Sequence, residues 1–354
     1  MNIDTIRQAV SPLLEWFSRH RRPMPWRVEP PDAYLTWISE IMLQQTRIEA
    51  AIPYFTRFIK RAPNVQTLAK ISDEELFKLW EGLGYYSRAK NLKKAACIVC
   101  EQYQGKLPVT AKELVKLPGI GPYTAGAISS IAYGQPEPAV DGNVIRVLAR
   151  LTDDPMDVDL GKNRTSAQEL LRQCYPTGEA AGRLTEALME LGEVVCIPNG
   201  TPLCHNCPLN AICLGYKNGS APGLPVKSPK KQRKIVRRTI LILRCGDLVA
   251  LRKRPETGLL SSLLEFPGLE EGEELTVFLH TYGLEPLSQR ELGSCVHVFS
   301  HVEWHMTGLE IQCRRPCSSL IWHTPEEIQT QLALPTAFSY FRKKLLFIKQ
   351  GENA

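Results

Sequence analysis

Two carboxylates stand in settings that push their chemistry in opposite directions. Glu40 lies in "AYLTWISEIMLQQ", three residues after Trp37 and four before Gln44, so the three share one side of a helix. Shielding by aromatic and apolar neighbours raises a carboxyl's pKa and suits it to hold a proton. Asp141, in "AVDGNVIRVLARL", immediately precedes a helix. There an aspartate caps the first amides, and those amides and the helix dipole keep it charged. One carboxyl that holds a proton and one that stays ionised make the pair used to cleave glycosyl bonds. Each also has a plain structural reading, Glu40 as a solvated helix carboxylate and Asp141 as a cap.

Four thiols form a second constellation. Cys196, Cys204, Cys207 and Cys213 fall in "CIPNGTPLCHNCPLNAIC". Four thiolates suit zinc or a 4Fe–4S cluster. Zinc sites usually pair two short knuckles, whereas only Cys204 and Cys207 form one here, so the uneven spacing favours iron–sulfur. The other CxxC, Cys97 and Cys100, lies on an apolar helical stretch and reads as core packing. A third feature is "LPGIGPYTAG", a turn between "AKELVKL" and "YTAGAISSIAYG". Gly119 and Gly121 permit positive φ and close backbone approach, and the amides opening the next helix can receive a phosphate. A helix–hairpin–helix of this kind grips a nucleic-acid backbone without reading bases. An ordinary helix–turn–helix corner is the competing reading.

The elements that must position these groups follow from periodicity. Residues 1–215 read as helices, with apolar residues recurring every three or four positions. Residues 216–236 include "NGSAPGLPVKSPKKQRK", rich in Pro, Gly and Ser and then basic, which reads as an interdomain linker. Its Lys and Arg could track phosphates or simply be solvated. Residues 237–354 turn to period-two alternation, as in "RTILILRC" and "SCVHVFSHVEWHMTGLEIQC", with helical stretches such as "SYFRKKLLFIK" near the end. A chain of 354 residues suits two domains, and its net charge of +6 is compatible with an anionic partner. No apolar run is long enough for a membrane span, which needs roughly 18 residues. Eleven cysteines with no secretory leader point to a reducing compartment, the cytoplasm by default.

Taken in order, "SEIMLQQTRIE", "GLGYYSRAKNL", "LPGIGPYTAGAI", "AVDGNVIRVLARL", "ELGEVVC" with the cysteines, and "FSH" at Phe299–His301 closely resemble the MutY adenine DNA glycosylases of the endonuclease III superfamily. The likeness covers nearly the whole chain. It implies an all-α helix–hairpin–helix glycosylase domain with an iron–sulfur loop, followed by an α/β nudix-like domain. It implies a monofunctional enzyme of base excision repair that removes adenine opposite 8-oxoguanine or guanine. The lyase-active relatives carry a lysine where this chain has Tyr123, and a phenol forms no Schiff base. The expected partner is duplex DNA with A:8-oxoguanine or A:G mispairs, met by a monomer associated with the nucleoid.

Residue roles follow from the same likeness. Glu40 protonates adenine N7, and Asp141 stabilises the cationic sugar, with Asn143 and Tyr123 in support. Glu186 contacts the flipped adenine, and Trp26 and Arg27 line its pocket. Gln45 and Tyr85 wedge into the stack, with Thr46 and Leu83 near the opposite base and Gly119 and Gly121 on the backbone. The four cysteines hold one 4Fe–4S cluster. Ser300 supplies the hydroxyl contact to 8-oxoguanine while Phe299 and His301 shape the reader loop. The stretch "CVHVFSHVEW" alternates like a strand or its exit, which puts Phe299 and His301 on one side and Ser300 on the other. Two departures stand out: the first cysteine gap has seven residues where the family has six, and Leu264 stands where relatives often carry tryptophan. The C-terminal part also lacks the Glu-rich helix that holds Mg²⁺ in nudix hydrolases, so it is expected to recognise rather than hydrolyse.

Overall fold

A computed structural model describes residues 1–229 and 232–347. Lys230 and Lys231 of the basic linker, and the last residues of the expected closing helix, lie outside the described residues. The chain forms two compact units, Met1–Ile71 with Asn91–Pro229, and Ser72–Lys90 with Lys230–Ala354.

Capping side chains start many of the helices. Asn2 accepts from the amides that open α1 (Ile3–His20), and Asp32 does so for α2 (Ala33–Leu43). Then come α3 (Ile48–Arg61), α4 (Val65–Lys70), α5 (Asp73–Trp80), α6 (Ser87–Gln102), α7 (Ala111–Leu114), α8 (Pro122–Tyr133), α9 (Gly142–Leu151), α10 (Gly161–Arg172), α11 (Glu179–Val194) and α12 (Leu214–Lys217). All but α5 and the start of α6 belong to the first unit. On α1 the buried residues Ile6, Ala9, Leu13 and Phe17 recur at helical spacing. They meet Val144, Leu148, Leu184, Leu188 and Leu191 of α9 and α11 in one core.

α8 packs against both α2 and α11, and apart from Ile128 its buried residues are small. Gly126 lies so close to the Pro138 carbonyl that an added Cβ would come within 2.6 Å of it. Small side chains let this helix run deep between its neighbours. Tyr123, in its first turn, is thereby brought beside α2.

In the second unit the strands are β1 (Lys234–Cys245), β2 (Leu248–Lys253), β3 (Leu264–Glu265), β4 (Gly268–Glu270), β5 (Pro286–Val298), β6 (Val302–Cys313) and β7 (Ile321–His323). The sheet order is β3-β2-β1-β6-β5, with β4 also on β1 and β7 also on β2. β1 and β6 are parallel and the other pairings antiparallel. Period-two alternation sends Ile240, Ile242, Trp304 and Met306 into one core, with Phe338 and Phe341. Leu241, Leu243 and Ile311 go into a second core on the other face. The helices α13 (Leu275–Thr281), α14 (Pro325–Thr330) and α15 (Ser339–Phe347) complete the unit. α5 and its following loop join it through polar contacts. Glu81 pairs with Arg342, and Lys78 donates to the carbonyls of Gln329 and Leu332 at 3.2 and 3.0 Å. No helix among the described residues is long and apolar enough to cross a membrane.

Candidate active site

A cleft of about 1030 Å³ opens in the helical unit, lined by residues of α2, α8, α11, the loop after α1 and the start of α9. Glu40, Tyr123, Asp141, Asn143, Glu186, Trp26, Arg27, Gln45, Thr46 and Gly121 all border it.

Glu40 is 6 % exposed, beside the fully buried Trp37. The Tyr123 hydroxyl donates to its Oε2 at 2.5 Å. Burial drives the Glu40 pKa up to about 7, aided by the charges of Asp141 and Glu186 and opposed by the Tyr123 bond and Arg27. Tyr123 is pushed well above its ordinary range by burial and by Glu40 and Asp141, so it keeps its proton and remains a donor. Met189 Sδ lies 3.8 Å from the same hydroxyl.

Asp141 is the N-cap of α9. Its Oδ1 accepts from the amides of Asn143 and Val144 at 2.8 and 2.7 Å, and its Oδ2 accepts from Asn143 Nδ2 at 2.9 Å. Capping alone would keep this carboxylate strongly acidic. Burial outweighs the caps and leaves its pKa raised, with the Asn143 and Val144 bonds and Arg146 pulling it back down. Asn143 is itself held by Arg146, whose Nη2 donates to its Oδ1 at 2.7 Å.

Across the cleft, Arg27 Nε donates to Glu186 at 2.7 Å and Nη2 to Glu190 at 2.9 Å. Arg22 pairs with Glu190 from the other side. Trp26 stacks edge-on against Phe55, with ring centroids 5.2 Å apart. Arg22, Glu190, Met189 and Arg146 were not singled out from sequence. The helical i,i+4 spacing of Glu186 and Glu190 and the cluster "HRRP" were the available signals.

The wedge residues share one feature. Gln45 has φ +60° and Tyr85 φ +47°, left-handed conformations that cost a non-glycine residue about 1–2 kcal/mol. Both are exposed. Leu83, 8 % exposed, is buried instead. In the hairpin turn only Gly119 takes positive φ (+79°), and it abuts Asn91. Gly121 has an extended conformation and, as the N-cap of α8, makes no side-chain cap bond.

The four loop cysteines lie in the helical unit, between α11 and α12. Burial raises the Cys204, Cys207 and Cys213 thiols, and the nearby Cys196 sulfur adds to each of the three shifts. Backbone amides of Leu209, and of Gly215 and Tyr216, donate to Cys207 and Cys213. Arg150 Nη1 reaches Cys196 Sγ at 3.3 Å. Among the described residues, no group of three or more His, Cys, Asp or Glu side chains is gathered to hold a single metal ion.

In the second unit, Phe299–His301 form the turn from β5 to β6 and do not continue the strand. They lie at the exit of the strand. The Phe299 ring packs edge-on against Trp304 at 4.9 Å, while Ser300 and His301 are exposed. Ser300 Oγ is 2.7 Å from the Tyr85 hydroxyl.

A buried carboxyl with a raised pKa and a capping aspartate thus border one cleft of the helical unit that carries the hairpin turn, an arrangement that suits a DNA glycosylase of the helix–hairpin–helix fold. Residues 38–173 match the HhH-GPD superfamily of base excision DNA repair proteins, and residues 238–344 match the NUDIX domain. Over 96 % of its length the chain is 34 % identical to the adenine DNA glycosylase of Homo sapiens, covering 74 % of that protein. It is 33 % identical to that of Buchnera aphidicola from Baizongia pistaciae, with 84 % of each covered. A thermostable thymine-DNA glycosylase structure aligns at TM-score 0.54 and 27 % identity, over 61 % of this chain and 98 % of that one. An endonuclease III–DNA complex shares the fold at TM-score 0.51 and 23 % identity, over 62 % of this chain and 98 % of that one. The chain belongs to the adenine DNA glycosylase family, enzymes of base excision repair that bind DNA and hydrolyse N-glycosyl bonds.

Proposed function

We propose that the chain excises adenine paired with 8-oxoguanine or guanine, with Glu40 as general acid and Asp141 as the anion that stabilises the sugar cation. The observation that carries this reading is the Glu40 carboxyl, buried, pushed to about 7 and hydrogen-bonded by Tyr123. Because Tyr123 donates to Oε2, a neutral Glu40 carries its own proton on Oε1, free for the leaving base. A purine anion leaves poorly, and protonating N7 removes that charge as the bond to C1′ breaks. Asp141, its oxygens fixed by three N–H donors, presents negative charge to the oxocarbenium-like sugar. Asn143 holds Asp141, and Glu186 with Arg27 and Trp26 shapes the adenine pocket.

The target base must leave the stack to reach the cleft. The strained, exposed Gln45 and Tyr85 suit the wedge role, and Thr46 on the cleft rim suits contact with the strand. The buried Leu83 supports the wedge loop from within. Gly119 and Gly121 let a phosphate approach the start of α8. Phe299, Ser300 and His301 form a polar turn with a packed aromatic base, suited to reading 8-oxoguanine.

Cys196, Cys204, Cys207 and Cys213 fit a 4Fe–4S cluster. They are four neighbouring thiols of one loop with amide donors to two sulfurs and a cation at a third, the surroundings that stabilise thiolate ligands. Bound there, the cluster would tie the 196–213 loop to α9 and α11.

Replacing Glu40 by Gln, or Asp141 by Asn, is expected to lower single-turnover excision by at least about 10²–10⁴-fold while duplex binding persists. Near-normal rates in either variant would refute that residue's role.

A further inference from the structure

Glu190 is buried to 2 % exposure, yet it is not among the residues that the reaction requires to touch adenine or sugar. It lies one helical turn beyond Glu186 on α11 and accepts from Arg22 and Arg27 at once. Arg27 thus divides its guanidinium between two carboxylates, with Nε on Glu186 at 2.7 Å and Nη2 on Glu190 at 2.9 Å. Its Nη1 donates to the Arg22 carbonyl at 2.8 Å, so every arm of the fork is engaged. A planar guanidinium held at three points cannot turn.

Arg27 matters because its charge reaches Glu40. The groups acting on Glu40 are Tyr123 of α8, Asp141 at the start of α9, Glu186 of α11 and Arg27 of the loop after α1. Of these, only Arg27 carries positive charge. Around Glu190 the charged groups are Arg22, Arg27, Glu186 and Glu193, with Arg21 on Glu186 and Glu29 beyond. Glu190 therefore offsets cation charge that would otherwise favour an ionised Glu40, and an ionised Glu40 cannot donate.

We propose that Glu190 is a positioning residue that pins Arg27 onto Glu186 and so keeps the acid at Glu40 in its proton-bearing form. The proposal rests on the reading of Glu40 as the acid. Loss of Glu190's charge removes one of the anions that offset Arg22 and Arg27 beside the cleft and weakens the hold on one arm of Arg27. Loss of Arg22's charge does the reverse, because it removes one cation from the cluster while Glu190 keeps its charge.

The test is the pH dependence of single-turnover adenine excision by the full-length enzyme with saturating A:8-oxoguanine duplex. For Glu190→Gln the alkaline limb should move down by about half to one pH unit, with the low-pH plateau within severalfold of the parent. Glu190→Asp should restore the limb, and Arg22→Gln should move it up. Uniform loss at every pH, or a limb unmoved in Glu190→Gln, would overturn the positioning role. Should Glu190→Gln fail to fold, an unmoved or lowered limb in Arg22→Gln would overturn it instead. A parent enzyme with no alkaline limb would sink the assignment of Glu40 itself, which separates the two failures.

Discussion

At the residue scale the cleft depends on one proton. Burial lifts Glu40 to about 7, whereas an ordinary glutamate lies near 4.5. The sign follows directly. Glu40 is loaded below about 7, so excision should fall as pH rises through 7. Folding stability has the same direction for this group. Between the unfolded value and about 7 the folded chain binds more proton, so stability declines as pH rises across that window. Single-turnover rates between pH 5.5 and 9 would check the kinetic limb, and a rate that climbs through pH 7 would contradict it. The Glu40 shielding was legible because Trp37 and Gln44 fall on its side of one helix. The Asp141 balance was not, since capping is local in sequence while burial comes from distant elements. The Arg22–Glu190–Arg27 chain joins residues more than 160 positions apart, and no spacing rule announces it.

At the element scale, the carboxylates keep their places because helices approach closely. On α11, a Cβ at Gly192 would lie 2.7 Å from the Asn143 Cβ, at the start of α9. Gly192→Ala should therefore push Asn143 and the Asp141 cap aside, destabilising the protein by about 1–3 kcal/mol. A shift of roughly 1 Å there should slow excision about 10²-fold. Gly161→Ala, at the exposed start of α10, is the control, since nothing lies within 4 Å of that site and its φ is not positive, and it should change stability by less than about 0.5 kcal/mol. Thermal melts and single-turnover rates on both variants check this. The helices were readable from periodicity and caps. Two features were not: the end of β5 just before the "FSH" residues, which form the turn to β6, and the grouping of α5 with the C-terminal unit. The first depends on where β5 and β6 stop pairing, and the second on ion pairs such as Glu81–Arg342 across the chain.

At the scale of the whole molecule, adenine is a normal base, so selectivity must come from its partner across the duplex. The C8 carbonyl and N7–H of 8-oxoguanine offer contacts that guanine lacks, each worth roughly 1–3 kcal/mol. Ser300 and His301 are exposed on their turn, and Ser300 is 2.7 Å from the Tyr85 hydroxyl. Ser300→Ala with His301→Ala should reduce the preference for A:8-oxoguanine over A:G about tenfold, while intrinsic excision from A:G changes little. Competition kinetics with the two duplexes would decide, and an unchanged preference would place the reading elsewhere. The central claim is hydrolytic removal of adenine by a site with a phenol, Tyr123, where a lyase carries an amine. It is tested most directly by incubating the protein with an A:8-oxoguanine duplex labelled on the adenine strand, then dividing each sample between hot alkali and neutral quench. The account predicts an abasic product, with strand cleavage after alkali and little without it. Equal cleavage in both samples, or adenine left in place, would contradict it.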